Sequence, residues 1–324
     1  YNAESCIGQC LDSILSQGLD PESYEVIIVN DGSTDRSCEI VNDYLKKYPN
    51  FRLFNQINSG QSVARNFGMT KAFGEYIQFI DADDFLIPDS LPLIVKFASS
   101  KDNNYALDMI TFGIIGGYPD RVEMKNTGTG NCQWLGNGYE YIASHNYNNG
   151  PWYYWLNRCF VNKYELKFEE GKLCEDGMFK LTALLNSKHI AYIDTSVYFY
   201  AVRPNSTTTS ISSERRKKIV DGFIFAINYF CKTIELHGKY MSEACKNRII
   251  TRRDSYVFFL LIRLLKMGAY LDAKSVTEAL KKDGIYPIKH FIGSDYAGVK
   301  LRFFTSLVNC RLLYLTLCKL NGLL

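Results

Sequence analysis

What most constrains the fold is an alternation. From residue 25 to residue 112, short apolar runs take turns with segments of helical spacing. Residues 25–29 (EVIIV) carry four apolar residues in succession, which predicts a strand buried on both faces rather than one with a wet side. A helix follows, with Ile40, Val41, Tyr44 and Leu45 as its apolar stripe. Residues 51–54 form the next strand, 62–72 the next helix, and 75–80 (EYIQFI) the next strand. A helix starting at Pro88 or Asp89 and a strand over 108–112 complete the series. Ahead of it, 3–17 puts Ile7, Leu11, Ile14 and Leu15 on one helical face, with Gly18 as the stop. This order predicts an α/β fold with a mostly parallel sheet and helices on both faces. In such sheets ligands bind beyond the carboxyl ends of the strands. The polar clusters at 30–35, 58–66 and 81–84 all follow strand ends or lie in the loop after one, so they should meet at one rim.

Further on, residues 114–135 are rich in Gly and Asn and read as a loop or hairpin. Residues 137–144 read as a helix, and the aromatic run 152–161 fits strand or helix. Then come a helix over 175–185 and two strands over 190–193 and 197–202. The polar stretch 205–213 is the best boundary. Beyond it the spacing predicts helices over about 214–237, 240–267, 271–282 and 296–320. The expected organisation is a domain over 1–210 followed by an all-helical region over 211–324, in keeping with 324 residues at about 150 per domain.

The net charge of +3 divides into −8 over residues 1–210 and +11 over 211–324. An acidic front suits metal binding and a basic, aromatic-rich tail suits an anionic surface; two solvated domains of different composition are the plainer reading. An apolar share of 47% excludes wholesale disorder. No run approaches the ~20 apolar residues of a membrane span, since the longest candidate, 256–262, is followed by Arg263 and Lys266. The ten cysteines form no Cys-x-x-Cys pair and have no His at zinc-ligand spacing. They predict free thiols in a reducing, cytoplasmic compartment.

Four polar clusters can carry chemistry. Asp81-Ala82-Asp83-Asp84 follows a strand. On an extended segment Asp81 and Asp83 point the same way, and hard divalent cations take carboxylate oxygens together with substrate phosphates. The same residues also suit a polar turn that caps the next helix. Asn30-Asp31-Gly32-Ser33-Thr34-Asp35 offers Asp31 to a base or ribose and Ser33 or Thr34 as an N-cap, or serves as cap and turn alone. In 58–66 a glycine turn leads into a helix start that favours anions, with Arg65 in the first turns, facing the rim or merely the surface. Glu175-Asp176 opens a helix after Phe168-Glu169-Glu170-Gly171. One of them can take the proton of an attacking hydroxyl, or both simply suit the helix dipole.

Taken in order, Tyr1-Asn2-Ala3-Glu4, VNDGSTD (29–35), NSGQSVARNFGM (58–69), FIDADDFLIPDSL (79–91) and FEEG with CEDGMF (168–179) resemble the family 2 inverting glycosyltransferases of GT-A fold, over residues 1–210. The resemblance implies transfer of a sugar from a nucleotide diphosphate donor, most simply a UDP-sugar, to a hydroxyl of a saccharide or lipid-linked acceptor in bacterial surface-polysaccharide synthesis, with Mg²⁺ or Mn²⁺. It implies that Tyr1 stacks on the base, Asp31 binds uracil or ribose and Arg65 lies near the base. Asp81 and Asp83 become the Asp-x-Asp pair, with Asp83 the direct metal ligand. Asp176 becomes the base, with Glu175 its close rival. Arg203, in YFYAVRPNS (198–206), would reach the diphosphate or stay at the surface. The aromatic cluster 152–155 would stack on acceptor sugars or pack beneath their loop.

The family normally opens with an apolar strand ending in Pro-x-Tyr-Asn, of which only Tyr1-Asn2 stands here, so the chain reads as lacking that strand. Gly177 stands where an aromatic is frequent. In the tail, 301–320 sets Leu301, Phe304, Leu307, Val308, Leu312 and Leu315 at helical intervals, with Arg311 and Lys319 among them. This predicts a platform on the inner face of an anionic membrane, or a helical subdomain packed on the catalytic domain or on a second copy in a homodimer. Nothing resembles a nucleic-acid module. Two other readings stay open: a nucleotidyltransferase that makes nucleotide sugars, and an inactive carbohydrate-binding or scaffold protein.

Overall fold

The computed structural model describes residues 1–100, 107–123, 125, 128–202, 213–291 and 298–322. The chain divides into two compact units. The first comprises Tyr1–Tyr141, Asn148–Gly171 and Glu175–Ser206; the second comprises Ile142–Tyr147, Lys172–Cys174 and Thr207–Leu324.

The first unit opens with α1 (Ile7–Leu15), which buries Ile7, Cys10, Leu11 and Ile14 on one face. Then follow β1 (Val26–Asp31), α2 (Ser37–Leu45), β2 (Phe51–Gln56) and α3 (Gln61–Lys71). β1 and β2 pair in parallel from Val26↔Phe51 to Asp31↔Gln56, as the alternation predicts. The loop after β1 is stitched to the chain start: Asn2 N–H donates to Ser33 Oγ (3.0 Å), Thr34 N–H to Asn2 Oδ1 (2.9 Å) and Ala3 N–H to Ser37 Oγ (2.7 Å). The cap of α2 comes from Asp35, whose Oδ1 accepts from the N–H and hydroxyl of Ser37, and not from Ser33 or Thr34.

Next come β3 (Tyr76–Ile77), β4 (Phe85–Leu86), α4 (Leu91–Ala98), β5 (Met109–Gly117), β6 (Cys132–Gly136), α5 (Gly138–Ser144), β7 (Tyr154–Asn157), α6 (Arg158–Lys163), α7 (Glu175–Asn186) and β8 (Ile190–Ala201). A second, six-stranded sheet runs β3-β7-β5-β8-β4, and β6 also pairs with β8. The sheets are mixed where the alternation predicts mostly parallel ones: β1/β2 and β5/β8 are parallel, and the other four pairs are antiparallel. The regular helix-crossover rhythm lasts only as far as β3, and parallel pairing depends on such crossovers.

Three local readings change. The run 75–80 pairs only over Tyr76–Ile77, antiparallel to β7. Gln78 falls opposite Trp155, and there the indole N–H donates to Gln78 Oε1 (2.7 Å) in place of a ladder bond. The 114–135 segment is not a hairpin, because β5 and β6 each pair with β8 and not with each other. The two strands expected over 190–202 are one. Its polar middle is absorbed by Asp194, which accepts from Thr129 N–H and Oγ1, and by a register shift opposite Gly113. The run 152–161 is both strand and helix, β7 followed by α6. The core of this unit joins α1, α2, α4 and the sheets through Leu11, Val41, Leu86, Ile94, Ile110 and Ile193.

The second unit holds α8 (Ser213–His237), α9 (Glu243–Lys266), α10 (Tyr270–Lys282), α11 (Val299–Asn309) and α12 (Arg311–Asn321). Phe230, Leu260, Leu261, Leu264 and Tyr314 are buried there. The single helix expected over 296–320 is broken at Cys310 (ψ 83°) into α11 and α12, bent by 93°. Tyr286 Oη donates to the carbonyls of Val308 (2.7 Å) and Asn309 (3.3 Å), so the last carbonyls of α11 are taken by a tertiary partner, and the Asn309 side chain clasps both N–H and carbonyl of Ile288.

Gln17 is the polar pin of the first unit. It is 1% exposed. Its Oε1 accepts from the N–H groups of Ser90 (3.1 Å) and Leu91 (3.0 Å), and its amide donates to the Ile87 carbonyl (3.0 Å). Gln17→Leu strands two buried N–H donors at the start of α4, and should destabilise the first unit by about 2–4 kcal/mol. Denaturant titration checks this, and a loss below ~0.5 kcal/mol contradicts the assigned role.

Candidate active site

The candidate site is built outward from β1. Asp31, at its end, is 6% exposed. Its carboxylate accepts from Gln56 Nε2 (2.7 Å), Ser59 N–H (2.7 Å) and Gly60 N–H (2.9 Å). It therefore fixes the loop that starts α3. The close approach of that loop also explains Gly32: at φ +72°, a Cβ there would stand 2.8 Å from Asn58 N.

Gln61 and Arg65 are four apart on α3 and so share one face. Both reach the N-terminal turn of α7. Gln61 Nε2 donates to Glu175 Oε1. Arg65 Nη1 donates to Asp176 Oδ1 (2.8 Å) and approaches Glu175 Oε1 (3.4 Å), while Nη2 donates to Asp81 Oδ1 (2.8 Å). The guanidinium also lies over the Phe168 ring at 5.3 Å. Phe168 is held beneath it in two ways. Asn66 accepts from its N–H (2.8 Å) and donates to its carbonyl (2.9 Å), and its ring stacks on Phe179 at 3.9 Å.

Residues 81–84 form a turn closed by Asp84 N–H on the Asp81 carbonyl (3.0 Å), rather than the extended segment that would aim Asp81 and Asp83 alike. The three acids consequently part. Asp81 is engaged through both oxygens, Oδ1 by Arg65 and Oδ2 by Trp152 Nε1–H (2.7 Å). Asp83 is exposed at the rim. Asp84 is buried and accepts from Tyr198 Oη (2.5 Å) and Ala201 N–H (2.8 Å). Burial pushes the Asp84 carboxyl up to about 7 against those two hydrogen bonds, with the charges of Asp83 and Asp81 adding to the rise.

The two acids of α7 differ in setting. Glu175 is 2% exposed and its Oε1 is turned into the Gln61 and Arg65 donors. Asp176 keeps about a quarter of its side chain open. Burial pushes Asp176 up to about 7; Arg65 opposes the rise, and Glu175 and Asp81 reinforce it. Arg65 itself loses by burial, yet Asp81, Asp176 and Glu175 hold its pKa above the ordinary arginine value.

Of the residues singled out in the sequence, Arg65, Asp81, Glu175 and Asp176 form one hydrogen-bonded cluster. Asp31 supports it through the loop before α3. Tyr1, 61% exposed, sits beside the Asn2 stitch to the β1 loop. Arg203 lies outside the described residues. Trp152 does more than pack: it stacks on Tyr198 (5.3 Å, 13°) and holds Asp81. Sequence reasoning gave Gln61, Asn66, Asp84 and Tyr198 no role of their own, although all four lie in the motifs it quoted, Gln61 and Asn66 in 58–66, Asp84 in 81–84 and Tyr198 in 198–206.

Among the described residues, no group of three or more His, Cys, Asp or Glu side chains is placed to hold a metal ion. A cation held wholly by protein does not fit. A magnesium-type ion that takes one carboxylate and completes its shell with substrate phosphates fits the exposed Asp83, whereas both oxygens of Asp81 are taken by Arg65 and Trp152.

Residues 1–161 match the model of glycosyl transferase family 2. The uncharacterized glycosyltransferase EpsJ of Bacillus subtilis is 32% identical over 221 residues, 64% of this chain and 60% of EpsJ. The poly(ribitol-phosphate) beta-glucosyltransferase of Bacillus spizizenii is 30% identical over 65% of this chain and 32% of its own length. The chain thus spans less than two thirds of the curated relatives it matches. In solved structures, S. aureus TarS 1–349 in complex with UDP-GlcNAc has the same fold at 18% identity and a TM-score of 0.64, covering 99% of this chain and 88% of TarS 1–349. The mannosyltransferase PcManGT of Pyrobaculum calidifontis, in complex with GDP-Man and Mn²⁺, aligns at 15% identity and a TM-score of 0.54, over 100% of this chain and 84% of that one.

Asp84 gives a pH test of this geometry. Its folded pKa lies above the unfolded value of 3.8, so the stability it contributes is complete below about pH 4 and is lost as pH rises through about 7. Asp84→Asn cannot titrate and should lack that component, on the order of 1–3 kcal/mol. Unfolding titrations at pH 5 and pH 8 check it; identical slopes in both proteins contradict the assignment.

Proposed function

The chain belongs to glycosyl transferase family 2, and on that premise we propose that it carries a sugar from a nucleoside-diphosphate donor, a UDP-sugar, to an acceptor hydroxyl by a single inverting displacement. The observation that carries this reading is the Arg65 bridge. It binds the acid at the start of the 81–84 turn, Asp81, to the quarter-exposed Asp176 on α7 through the two amino groups of one guanidinium.

Asp176 is the base. About a quarter of its side chain is exposed, and a pKa near 7 lets it be ionised at neutral pH and still hold a proton well. Glu175 is the positioning acid: buried, it fixes the first turn of α7 through Gln61 and Arg65. In the reaction the acceptor oxygen bonds to the anomeric carbon, its proton passes to Asp176, and the bond to the diphosphate oxygen breaks with its electrons leaving on the diphosphate. Arg65 orients Asp176 and, by its charge, favours the ionised form. Asp31 fixes the loop at the nucleoside end, and Tyr1 offers its ring to the base. Asp83 would hold Mg²⁺ or Mn²⁺, which would supply positive charge to the leaving diphosphate; Asp81, expected as its partner ligand, has both oxygens on Arg65 and Trp152.

The acceptor is a saccharide or lipid-linked hydroxyl in surface-polysaccharide synthesis, with the enzyme in the cytoplasm at the inner face of the membrane. Relatives whose names include a poly(ribitol-phosphate) glucosyltransferase and a minor teichoic acid biosynthesis protein support that class.

A panel of UDP-, GDP- and dTDP-sugars, with and without Mn²⁺, tests the reading: release of nucleoside diphosphate supports it and release of pyrophosphate overturns it. Asp176→Asn should keep UDP binding and lose about 10²–10⁴ in kcat. The wild-type rate should fall with pH below about 7, as the base takes up its proton. Asp83→Ala should lose metal-dependent turnover with the fold intact. Undiminished transfer in Asp176→Asn moves the base to Glu175.

A further inference from the structure

The break at Cys310 turns two short helices outward with an unusual surface. Residues 298–322 include Lys300, Arg302, Arg311 and Lys319 and no Asp or Glu. Each helix buries a narrow stripe, Thr305 and Val308 on α11 and Tyr314 and Cys318 on α12. The residues opposite those stripes are large and apolar yet open: Val299 (86%), Phe303 (62%), Leu312 (82%), Leu313 (47%) and Leu320 (52%). This is not the face that the single-helix reading of 301–320 selects, since Val308 is buried and Phe303 is exposed. Arg302 and Lys319 are exposed beside these apolar side chains.

Exposed apolar side chains gathered this densely mark an interaction surface. Charge decides its partner. Arg311 is answered by Glu278 (2.8 Å), but a second copy apposed through the same face would set Lys300, Arg302 and Lys319 against their own counterparts, and α11 and α12 carry no carboxylate to reply. A bilayer surface answers both parts of the chemistry, with acyl chains for Phe303 and Leu312 and headgroup phosphates for the basic side chains, whose long stems let the charge stay at the headgroups. No single helix among the described residues is long and apolar enough to cross a membrane; α11 and α12 have the length and composition only as a pair bent by 93°, and each packs a stripe against the protein, Thr305 with Val308 and Tyr314 with Cys318, so the contact argued here is made by their outward faces.

We propose that the outward faces of α11 and α12 dock on a bilayer rich in anionic glycerophospholipids. This inference stands apart from the glycosyl transfer assigned above, and either can fail without the other.

The test is flotation of the full chain with vesicles of phosphatidylglycerol and phosphatidylcholine in equal parts, against vesicles of phosphatidylcholine alone. The mixed vesicles should bind at least about tenfold more tightly, with the difference shrinking as salt is raised. Phe303→Ser with Leu312→Ser should weaken binding about tenfold, and Lys300→Glu with Arg302→Glu and Lys319→Glu should abolish the preference for anionic lipid. Both variants change exposed positions, so their thermal midpoints should match the wild type. Equal binding to both vesicles, or wild-type binding by both variants, overturns the proposal. So does sedimentation showing a dimer that the serine variant dissociates, with no vesicle binding by either protein.

Discussion

One guanidinium holds the rim of the candidate site together. Arg65 faces three carboxylates, Asp81, Glu175 and Asp176, from a position only 11% exposed. Buried charges of either sign are costly alone, so the cluster persists because each finds a partner in fixed geometry. The planar fork matters here. Its two terminal nitrogens reach separate elements, which a lysine ammonium at one point could not do with the same aim. Break the fork and the turn after β3 loses its tie to the first turn of α7.

The elements around it serve to aim that fork. Asp31 clamps the Ser59 and Gly60 amides, so α3 begins where Gln61 and Arg65 face α7. Trp152 fills the second oxygen of Asp81, and its ring rests on Tyr198. Tyr198 in turn serves Asp84 and the Asp81 amide. These are polar groups at the edge of an apolar sheet core, each satisfied and each limiting the next. The second unit is held differently. Its long helices meet through apolar side chains, with isolated polar ties such as Arg252 on Asn146 and Tyr147 and Asp254 on the His290 amide.

Much of this was legible in the sequence, and the gaps have physical causes. The units β1-α2-β2-α3 followed from local patterning, because each buries its own apolar stripe. The sheet's mixed direction did not, because pairing partners such as β8 and β4 lie over a hundred residues apart and periodicity carries no partner information. The Cys310 break was hidden because apolar spacing continues smoothly across it, whereas the groups that hold the end of α11, Tyr286 and the backbone of Ile288, lie more than twenty residues away. At the site, the acid-rich motif after a strand marked Asp81 and Asp83, and the acidic opening of a helix marked Glu175 and Asp176. These motifs left Glu175 as the close rival of Asp176, and the fold separates the two by burial, with 3% of one side chain exposed and 25% of the other. They suggested that Asp81 and Asp83 share a face, which a turn undoes. Arg65 stood out by position, but its partners lie 16 and 111 residues away and belong to the fold alone.

The central claim is that Arg65 acts on transfer through Asp176, and the most direct measurement is the pH profile of kcat for the wild type and Arg65→Met, alone and combined with Asp176→Asn. Burial raises the Asp176 pKa and Arg65 opposes it, so removing the guanidinium should move the acid limb upward by about one pH unit or more. The donor KM should stay within about threefold, and the substitution should cost nothing further once Asp176 is Asn. A limb that stays at the same pH, with a raised donor KM and losses that add in the double variant, would contradict the account.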